Sequence, residues 1–296
     1  MTRQPPVYIN SAASIHPPLD GVGECLPGKC LTAVEPDYKR LIPDATLRRR
    51  MSRIVRMGVA AGQACLQDAA GVSPEAILTA TGMGCLADTE KFMNSLLDGD
   101  EERLTPTAFI QSTFNTVGAQ LALLNGNQSY NTTYVHRTFS FESALLDALL
   151  LIREREAVDV LAGAMDEQTP TLYTVLQRLG CWKRAMAGEG AAFFLLSGRR
   201  TDGTLAILQD VELFSGDYGE QAIRERMERF LLAHDAAGAR TLYPADYKRF
   251  CGEYPTAASF ALWYACRELR EAEGKRPVLV YNAFLDAHSF ILLKPV

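Results

Sequence analysis

The stretch from Gln128 to Glu167 constrains the fold more than any other part of the chain. It opens on Tyr130, Thr132, Thr133, Tyr134 and Val135, the β-branched and aromatic residues that favour an extended strand. After a sharp turn, Ala144, Leu145, Ala148, Leu149 and Ile152 recur at the spacing of one helix face. Arg153, Glu154, Arg155 and Glu156 form a charged last turn, and Val158 to Ala164 follows as the continuous apolar run VDVLAGA. A run of that kind suits a strand covered on both faces. The unit is therefore strand, tight turn, buried helix, strand, and it calls for an α/β fold.

Composition narrows the classes. At 296 residues and 48% hydrophobic content, the chain can bury one large or two fused α/β units. Mean hydropathy is -0.04, and no unbroken apolar run approaches the length of a membrane span. Two prolines stand where a signal peptide carries its apolar helix, so a cytoplasmic protein is expected. A net charge of -5 gives no reason to expect a nucleic-acid partner. The seven cysteines are odd in number and irregularly spaced, and the closest pair, Cys25 and Cys30, is not a CxxC. Neither a metal site nor a disulfide framework is expected, no cofactor is indicated, and most thiols read as small buried hydrophobes.

Along the chain, Val7 to Ala13 reads as a first strand, followed by a loop with Pro17, Pro18, Gly21, Gly23, Pro27 and Gly28. Leu47, Met51, Ile54, Val55, Met57, Gly58, Ala61, Ala64 and Cys65 predict one amphipathic helix. Its other face carries Arg48, Arg49, Arg50, Arg53 and Arg56, which is either a solvated face or a local patch for an acidic partner. Ala76 to Cys85 predicts an inner strand ending in Gly82 and Gly84, Thr89 to Leu97 a short helix closed by Gly99, and Pro106 to Asn125 a single helix. The small residues Thr116, Gly118, Ala119 and Ala122 predict close packing against another helix, within the chain or across a dimer axis. Thr171 to Leu179 predicts a helix, Leu205 to Phe214 a strand and Ile223 to Ala233 a helix. A loop then carries Tyr243, Pro244 and Tyr247. A helix from the Gly252 turn through Leu269 and a final strand pair (PVLVYNAF and SFILLKP) complete the reading.

The elbow followed by Asp159-Val160-Leu161-Ala162-Gly163-Ala164, together with Gly188-Glu189-Gly190-Ala191-Ala192, resembles the β-ketoacyl synthase family of the thiolase-like fold. The resemblance implies two related βαβαβ halves in five layers (α-β-α-β-α), with residues 1–200 as the first half and 201–296 as a shortened second half. It also implies a nucleophilic cysteine at the elbow, where helix amides favour the thiolate. Counting back from Ala162 by the helix length usual in that family puts the position at or near Thr138, and no cysteine lies between Cys85 and Cys181. Gly252-Glu253-Tyr254-Pro255-Thr256 resembles the family's GHTxGAAG element, with Glu253 where its catalytic histidine belongs. The family's HGTxT motif is absent, and its GFGG gating loop is reduced to Leu285-Asp286-Ala287-His288.

Decarboxylative condensation needs a thiolate and two histidines, so the family's own reaction is not expected. A chain that keeps this scaffold without the cysteine resembles the chain-length factor of type II polyketide synthases, and most of all the short subunits of aryl polyene pathways. That resemblance implies a heterodimer with an active β-ketoacyl-ACP synthase and contact with the acyl carrier protein mainly through that partner. Phe109, Ile110, Phe114, Phe139 and Phe141 are then the candidates that set channel length, and Arg48, Arg49, Arg53 and Arg56 those for carrier docking. Two other readings stay open. One is an acyltransferase or hydrolase using His136 with Thr138 or Ser140, oriented by Glu142 or Glu253; the other is an inactive structural homodimer. His288 is expected as a satisfied polar residue near the surface, and Trp182 and Trp263 as core or interface anchors.

Overall fold

A computed structural model describes residues 5–19, 28–98, 106–271 and 276–296. The turn expected at Gly21 to Gly23, and Cys25, Pro27 and Gly99, lie outside these. In chain order the elements are β1 (Val7–Ile15), α1 (Tyr38–Leu41), α2 (Ala45–Arg50), α3 (Arg53–Asp68), β2 (Ala76–Ala80), α4 (Leu86–Leu97), α5 (Pro106–Gln111) and α6 (Thr116–Leu124). There follow β3 (Tyr130–Tyr134), α7 (Ser140–Arg153), β4 (Asp159–Asp166), α8 (Pro170–Arg178), β5 (Gly190–Ser197), β6 (Ala206–Ser215) and α9 (Glu220–Ala233). The chain ends in β7 (Arg240–Leu242), α10 (Pro244–Cys251), α11 (Ala257–Glu271), β8 (Val278–Phe284) and β9 (Ala287–Lys294).

The strands run in the order β3-β2-β4-β5-β1-β6-β9-β8-β7. β2 is parallel to β3 and β4, while β5 is antiparallel to β4 and β1. The second half repeats this arrangement: β9 is antiparallel to β6 and β8, and β7 is parallel to β8. Thus β6-β9-β8-β7 repeats β1-β5-β4-β2 in order and direction, and among the described residues nothing corresponds to β3. The halves join where Val7–Ile9 pair with Ala206–Leu208. Each strand carries a register shift just beyond this shared segment, which bends it away into its own half.

Period-two alternation along the strands sorts the core into layers. Leu78, Val160, Phe194, Val280 and Leu293 face the middle, where α7 and α11 supply Phe141, Leu145, Phe260 and Leu262. Ile77, Leu161 and Phe193 face outward beneath α3 and α6. Leu279, Phe290 and Leu292 face outward beneath α9. The order is helices, first half-sheet, helices, second half-sheet, helix. Gly163 of β4 stands opposite Phe193 of β5, and a Cβ there would lie 2.2 Å from the Phe193 ring. The glycine of VDVLAGA therefore makes room for an aromatic to lie across the central strand.

Two helices expected as single are broken. Met51 and Ser52 adopt extended backbone between α2 and α3; Ser52 takes the N-cap position that favours short polar residues, and Arg48 to Arg50 form a last turn suited to the α2 carboxyl end. Between α5 and α6 the Thr113 hydroxyl bonds Ile110 O at 3.0 Å and the Thr116 hydroxyl bonds Thr113 O at 2.8 Å, side-chain bonds that compete with a helical ladder. α6 does pack closely on α3, but through Val117 and Leu121 over Gly58 and Gly62; of the small residues expected to permit the packing, Gly118 faces Thr79 and Asn131 instead. β7 and α10 fall where a loop was expected, and the segment Leu285–His288 is a two-residue turn followed by strand. His288 accordingly lies inside β9, 8% exposed rather than near the surface.

Candidate functional site

The elbow between β3 and α7 spans Val135 to Phe139. Arg137 takes φ +57, a left-handed value that non-glycine residues rarely adopt. Thr138 N–H donates to His136 O at 2.7 Å, and His136 N–H donates to Ser140 Oγ at 2.9 Å. Ser140 is wholly buried and serves the turn. His136 and Arg137 are exposed, and the His136 ring stacks on Tyr134 at 6.0 Å. Among the described residues no hydrogen bond joins the His136 ring to Thr138 or Ser140. Glu142, one turn into α7, is fully buried; its Oε1 accepts from Ser289 Oγ at 2.9 Å and Asn282 Nδ2 at 3.2 Å, and burial raises its pKa.

A cavity of about 240 Å³ opens beside the elbow. Arg137, the end of β4 at Glu167, α8 and the Glu253–Pro255 turn meet around it, and Phe284 and Leu285 of the final hairpin close one side. Such a position, at the carboxyl ends of the parallel strands β2, β3 and β4, is where α/β sheets hold ligands. Glu253 accepts from Lys248 Nζ at 2.7 and 2.8 Å, and the same ammonium bonds Ala283 O at 2.7 Å. Burial pushes the Glu253 carboxyl up and Lys248 pulls it down. An ion-paired carboxylate at this turn accepts hydrogen bonds and donates none.

Asp166 was not singled out by its sequence, yet it holds the site together. Its Oδ1 accepts from Thr81 Oγ1 (2.9 Å), Gly82 N (2.9 Å) and Met83 N (3.3 Å), and its Oδ2 from Thr256 N (3.1 Å) and Thr256 Oγ1 (2.8 Å). The β2 turn and the start of α11 are thereby tied to one carboxyl. Gly82 allows this approach, since a Cβ there would stand 2.2 Å from Pro255. The available signal was an Asp-Glu pair directly after an apolar strand.

The GEGA glycine faces the same turn. Gly188 N–H donates to Glu253 O at 3.1 Å, and Glu253 N–H donates to Met186 O at 2.7 Å. Glu189, 2% exposed, takes a bidentate Arg53 guanidinium at 2.6 and 2.8 Å, with Ala33 N at 3.0 Å and Gln168 N at 3.2 Å. Arg53 also pairs with Glu35 at 2.6 Å. Of the arginine patch, Arg53 is thus committed to the fold, Arg48 bonds Ile42 O at 2.5 Å, Arg56 lies 5.6 Å over Tyr38, and Arg49 and Arg50 are exposed.

Phe109, Ile110 and Phe114 stand exposed, with Phe109 5.3 Å from Phe92 of α4, and the outer edge of β3 has no neighbour strand among the described residues. Phe114 covers Gly84, which takes φ +70. Phe139 is half-buried at the elbow, whereas Phe141 is fully buried, 5.8 Å from Phe194. Trp182 is buried at the cavity and Trp263 packs against His16 at 4.6 Å. His288 is satisfied by Tyr281 OH at 2.9 Å and Gly216 O at 3.2 Å. His234 bonds Asp210 Oδ2 at 2.8 Å. Cys65, Cys85, Cys251 and Cys266 are buried, and Cys30 and Cys181 exposed.

Glu167 lines the cavity, and burial, with Asp88 adding to it, pushes its pKa from 4.5 up to about 7. A carboxyl raised on folding is protonated in the native state while the unfolded chain has already ionised. Stability should therefore fall by up to about 3 kcal/mol as pH rises from 4.5 to 7 and level off above that. Glu167→Gln is expected to flatten this slope in urea titrations at stepped pH; an unchanged slope would assign it to another group.

A model of the β-ketoacyl synthase N-terminal domain matches residues 32–210, more than half of the chain. No curated protein matches by sequence. Among solved structures, a chain of AntDE:AntF, a type II PKS acyl-carrier protein in complex with its ketosynthase bound to the hexaketide, superposes with a TM-score of 0.83 at 15% identity, covering 99% of this chain and 100% of that one. The ishigamide ketosynthase/chain length factor gives 0.76 at 16% identity, with 98% and 99% covered. A β-ketoacyl synthase from Burkholderia phymatum STM815 gives 0.71 at 14% identity, with 99% and 100% covered. At these identities the structures speak for the thiolase-like fold, and the matched domain, together with its elbow and GEGA turn, makes this chain a member of the β-ketoacyl synthase family.

Proposed function

We propose that this chain is a non-catalytic chain-length factor that pairs with an active β-ketoacyl-ACP synthase and shapes the acyl channel in type II, aryl polyene-like polyketide synthesis. The observations that support the reading are at the elbow and the Glu253 turn: no cysteine lies between Cys85 and Cys181, Thr138 falls at or near the position the resemblance gives to the nucleophile, and Glu253, at the position the resemblance gives to a histidine, is paired with Lys248 at 2.7 and 2.8 Å. A threonine without an adjacent base is a poor nucleophile at neutral pH. The unpaired β3 edge with exposed Tyr130 on it, and the exposed apolar side chains Phe109, Ile110 and Phe114 ahead of α6, support a partner surface. One structural relative is itself a ketosynthase/chain length factor, and another contains an acyl-carrier protein with its ketosynthase. On this reading residues 1–200 and 201–296 are a complete and a shortened ketosynthase half, the protein works in the cytoplasm, and carrier contact falls mainly to the partner, with Arg49 the exposed one of the four docking candidates on this chain. No helix among the described residues is long and apolar enough to cross a membrane.

The test is co-expression with a cysteine-bearing ketosynthase, followed by sizing and assay. A one-to-one heterodimer active only with both chains is expected. A lone homodimer acylated on Ser or Thr near position 138 would replace this reading with an acyltransferase. Phe139→Ala in the complex should shift products toward longer chains by vacating channel volume. An unchanged distribution across alanine variants of Phe109, Ile110, Phe114 and Phe139 would remove the channel assignment. Phe141→Ala in this chain reports on core stability, because that ring has no exposed surface.

A further inference from the structure

Beyond the β1–β6 seam, the two halves meet on a buried carboxyl with no counter-charge of its own. Glu142 projects from α7 of the first half, fully buried, and its Oε1 accepts from Ser289 Oγ of β9 at 2.9 Å and Asn282 Nδ2 of β8 at 3.2 Å, both in the second half. Tyr247 OH of α10 donates in turn to Asn282 Oδ1 at 2.7 Å. The other oxygen, Oε2, is buried without a hydrogen-bond partner among the described residues. Asp166, also buried, differs: five donors are spread over both of its oxygens.

The two forms of a carboxyl suit this place unequally. An ionised group would keep an unsolvated charge on an oxygen that receives no donor. The cation acting on it, Lys248, spends its three N–H bonds on the two Glu253 oxygens and Ala283 O. The amino-terminal turn of α7 favours the anion, but burying a full charge costs more than the helix dipole returns. A neutral acid replaces that charge by one O–H without an acceptor, the smaller cost, and its Oε1 takes the two donors as a carbonyl oxygen does. We propose that Glu142 is built into the fold as the neutral acid, its proton on Oε2, and that this proton latches α7 to the β8–β9 hairpin. The far end of α7 holds the second half through Arg153, which bonds Gln209 O and lies 3.5 Å from Asp210. Loss of the proton therefore loosens the elbow end of the helix.

Burial raises the Glu142 pKa above 4.5, against the pull of its own amide, Ser289, Asn282 and Lys248. The unfolded chain ionises near 4.5 and the folded chain later, so folding takes up a proton. Stability from this group is present at low pH and falls as pH rises between the two values. The charged and titratable groups bearing on it are Tyr247 and Lys248 of α10 and Glu253 after it. On β8 and β9, Tyr281 and His288 bond each other on the outer face. Glutamine, equal in shape and neutral at every pH, escapes the loss. The latch is read on this chain alone and pairing with a ketosynthase by sizing, so the two proposals fail separately.

The full chain, in whatever oligomer it purifies, is unfolded in urea at pH 6, 7 and 8 as wild type, Glu142→Gln and Glu142→Ala. Glu142→Gln should fold and be at least as stable as wild type, its advantage in the folding equilibrium constant growing toward about tenfold per pH unit. Glu167 ionises alike in both chains and cancels. Glu142→Ala should fall below Glu142→Gln at every pH, because the Ser289 and Asn282 donors lose their acceptor. An infrared difference spectrum, folded wild type minus Glu142→Gln at pH 7, should show the carbonyl stretch of a protonated carboxyl. A Glu142→Gln chain that fails to fold, an advantage that does not change with pH, carboxylate bands in the difference spectrum, or a Glu142→Ala chain as stable as Glu142→Gln would each overturn the proposal.

Discussion

Asp166→Ala is expected to cost about 3–5 kcal/mol of folding stability in urea unfolding, because one truncation strands five donors that have nowhere else to go. The Thr81 hydroxyl, Gly82 N–H and Met83 N–H lie on the β2 turn, and the Thr256 hydroxyl and N–H lie at the entry to α11. Asp166 and Thr256 are essentially without exposed surface, so water cannot replace the lost acceptor. Burial pushes the Asp166 carboxyl up, while its Thr256, Thr81, Gly82 and Met83 donors pull against that. Asp166→Asn keeps the volume but turns an amide toward donors, so an intermediate loss is expected. A cost below about 1 kcal/mol for alanine would mean that the two turns are held by their own packing.

What was legible in the sequence follows the strength of local signals. The elbow unit read correctly because its period switches from two to 3.6 and back, and β3, α7 and β4 sit where Tyr130, Ala144 and Val160 placed them. The breaks at Ser52 and at Ser112–Asn115 escaped because apolar spacing continued across them while short polar side chains redirected the backbone. α10 was read as loop although Pro244 at its first turn and Asp246, which accepts from Tyr243 N–H at 2.8 Å, form a helix-start signal. That no cysteine lies between Cys85 and Cys181 was visible in residue identity alone. Asp166 reaching Thr256 ninety residues away and Arg53 turning inward to Glu189 were not, since each joins distant segments whose proximity is set only by the finished sheet, while Lys248 pairs with Glu253 only five residues on, across the Gly252 turn that ends α10. That is why Arg53 read as part of a surface patch while its guanidinium serves a buried carboxylate.

The GEGA turn shows how far a sequence motif can be converted into a force. Gly188→Ala should destabilise the protein by at least about 3 kcal/mol, since a Cβ there would stand 1.9 Å from Cys251 O and 2.7 Å from Gly252 Cα. Both are backbone atoms, so no rotamer change relieves the clash. Gly252 faces it in turn at φ +75, with its own Cβ position 2.5 Å from Ala187 O, so the two glycines form one contact and neither side can retreat alone. Separating them breaks the Gly188–Glu253 and Glu253–Met186 backbone bonds and shifts Glu253 away from Lys248. Gly238→Ala, with open space around its Cβ, is the control and should stay within about 0.5 kcal/mol. If the two variants unfold at the same urea concentration, the turn tolerates separation. If Gly188→Ala is destabilised and also loses pairing with a ketosynthase, the glycine contact beside Glu253 also carries the shape of the surface proposed to face that partner.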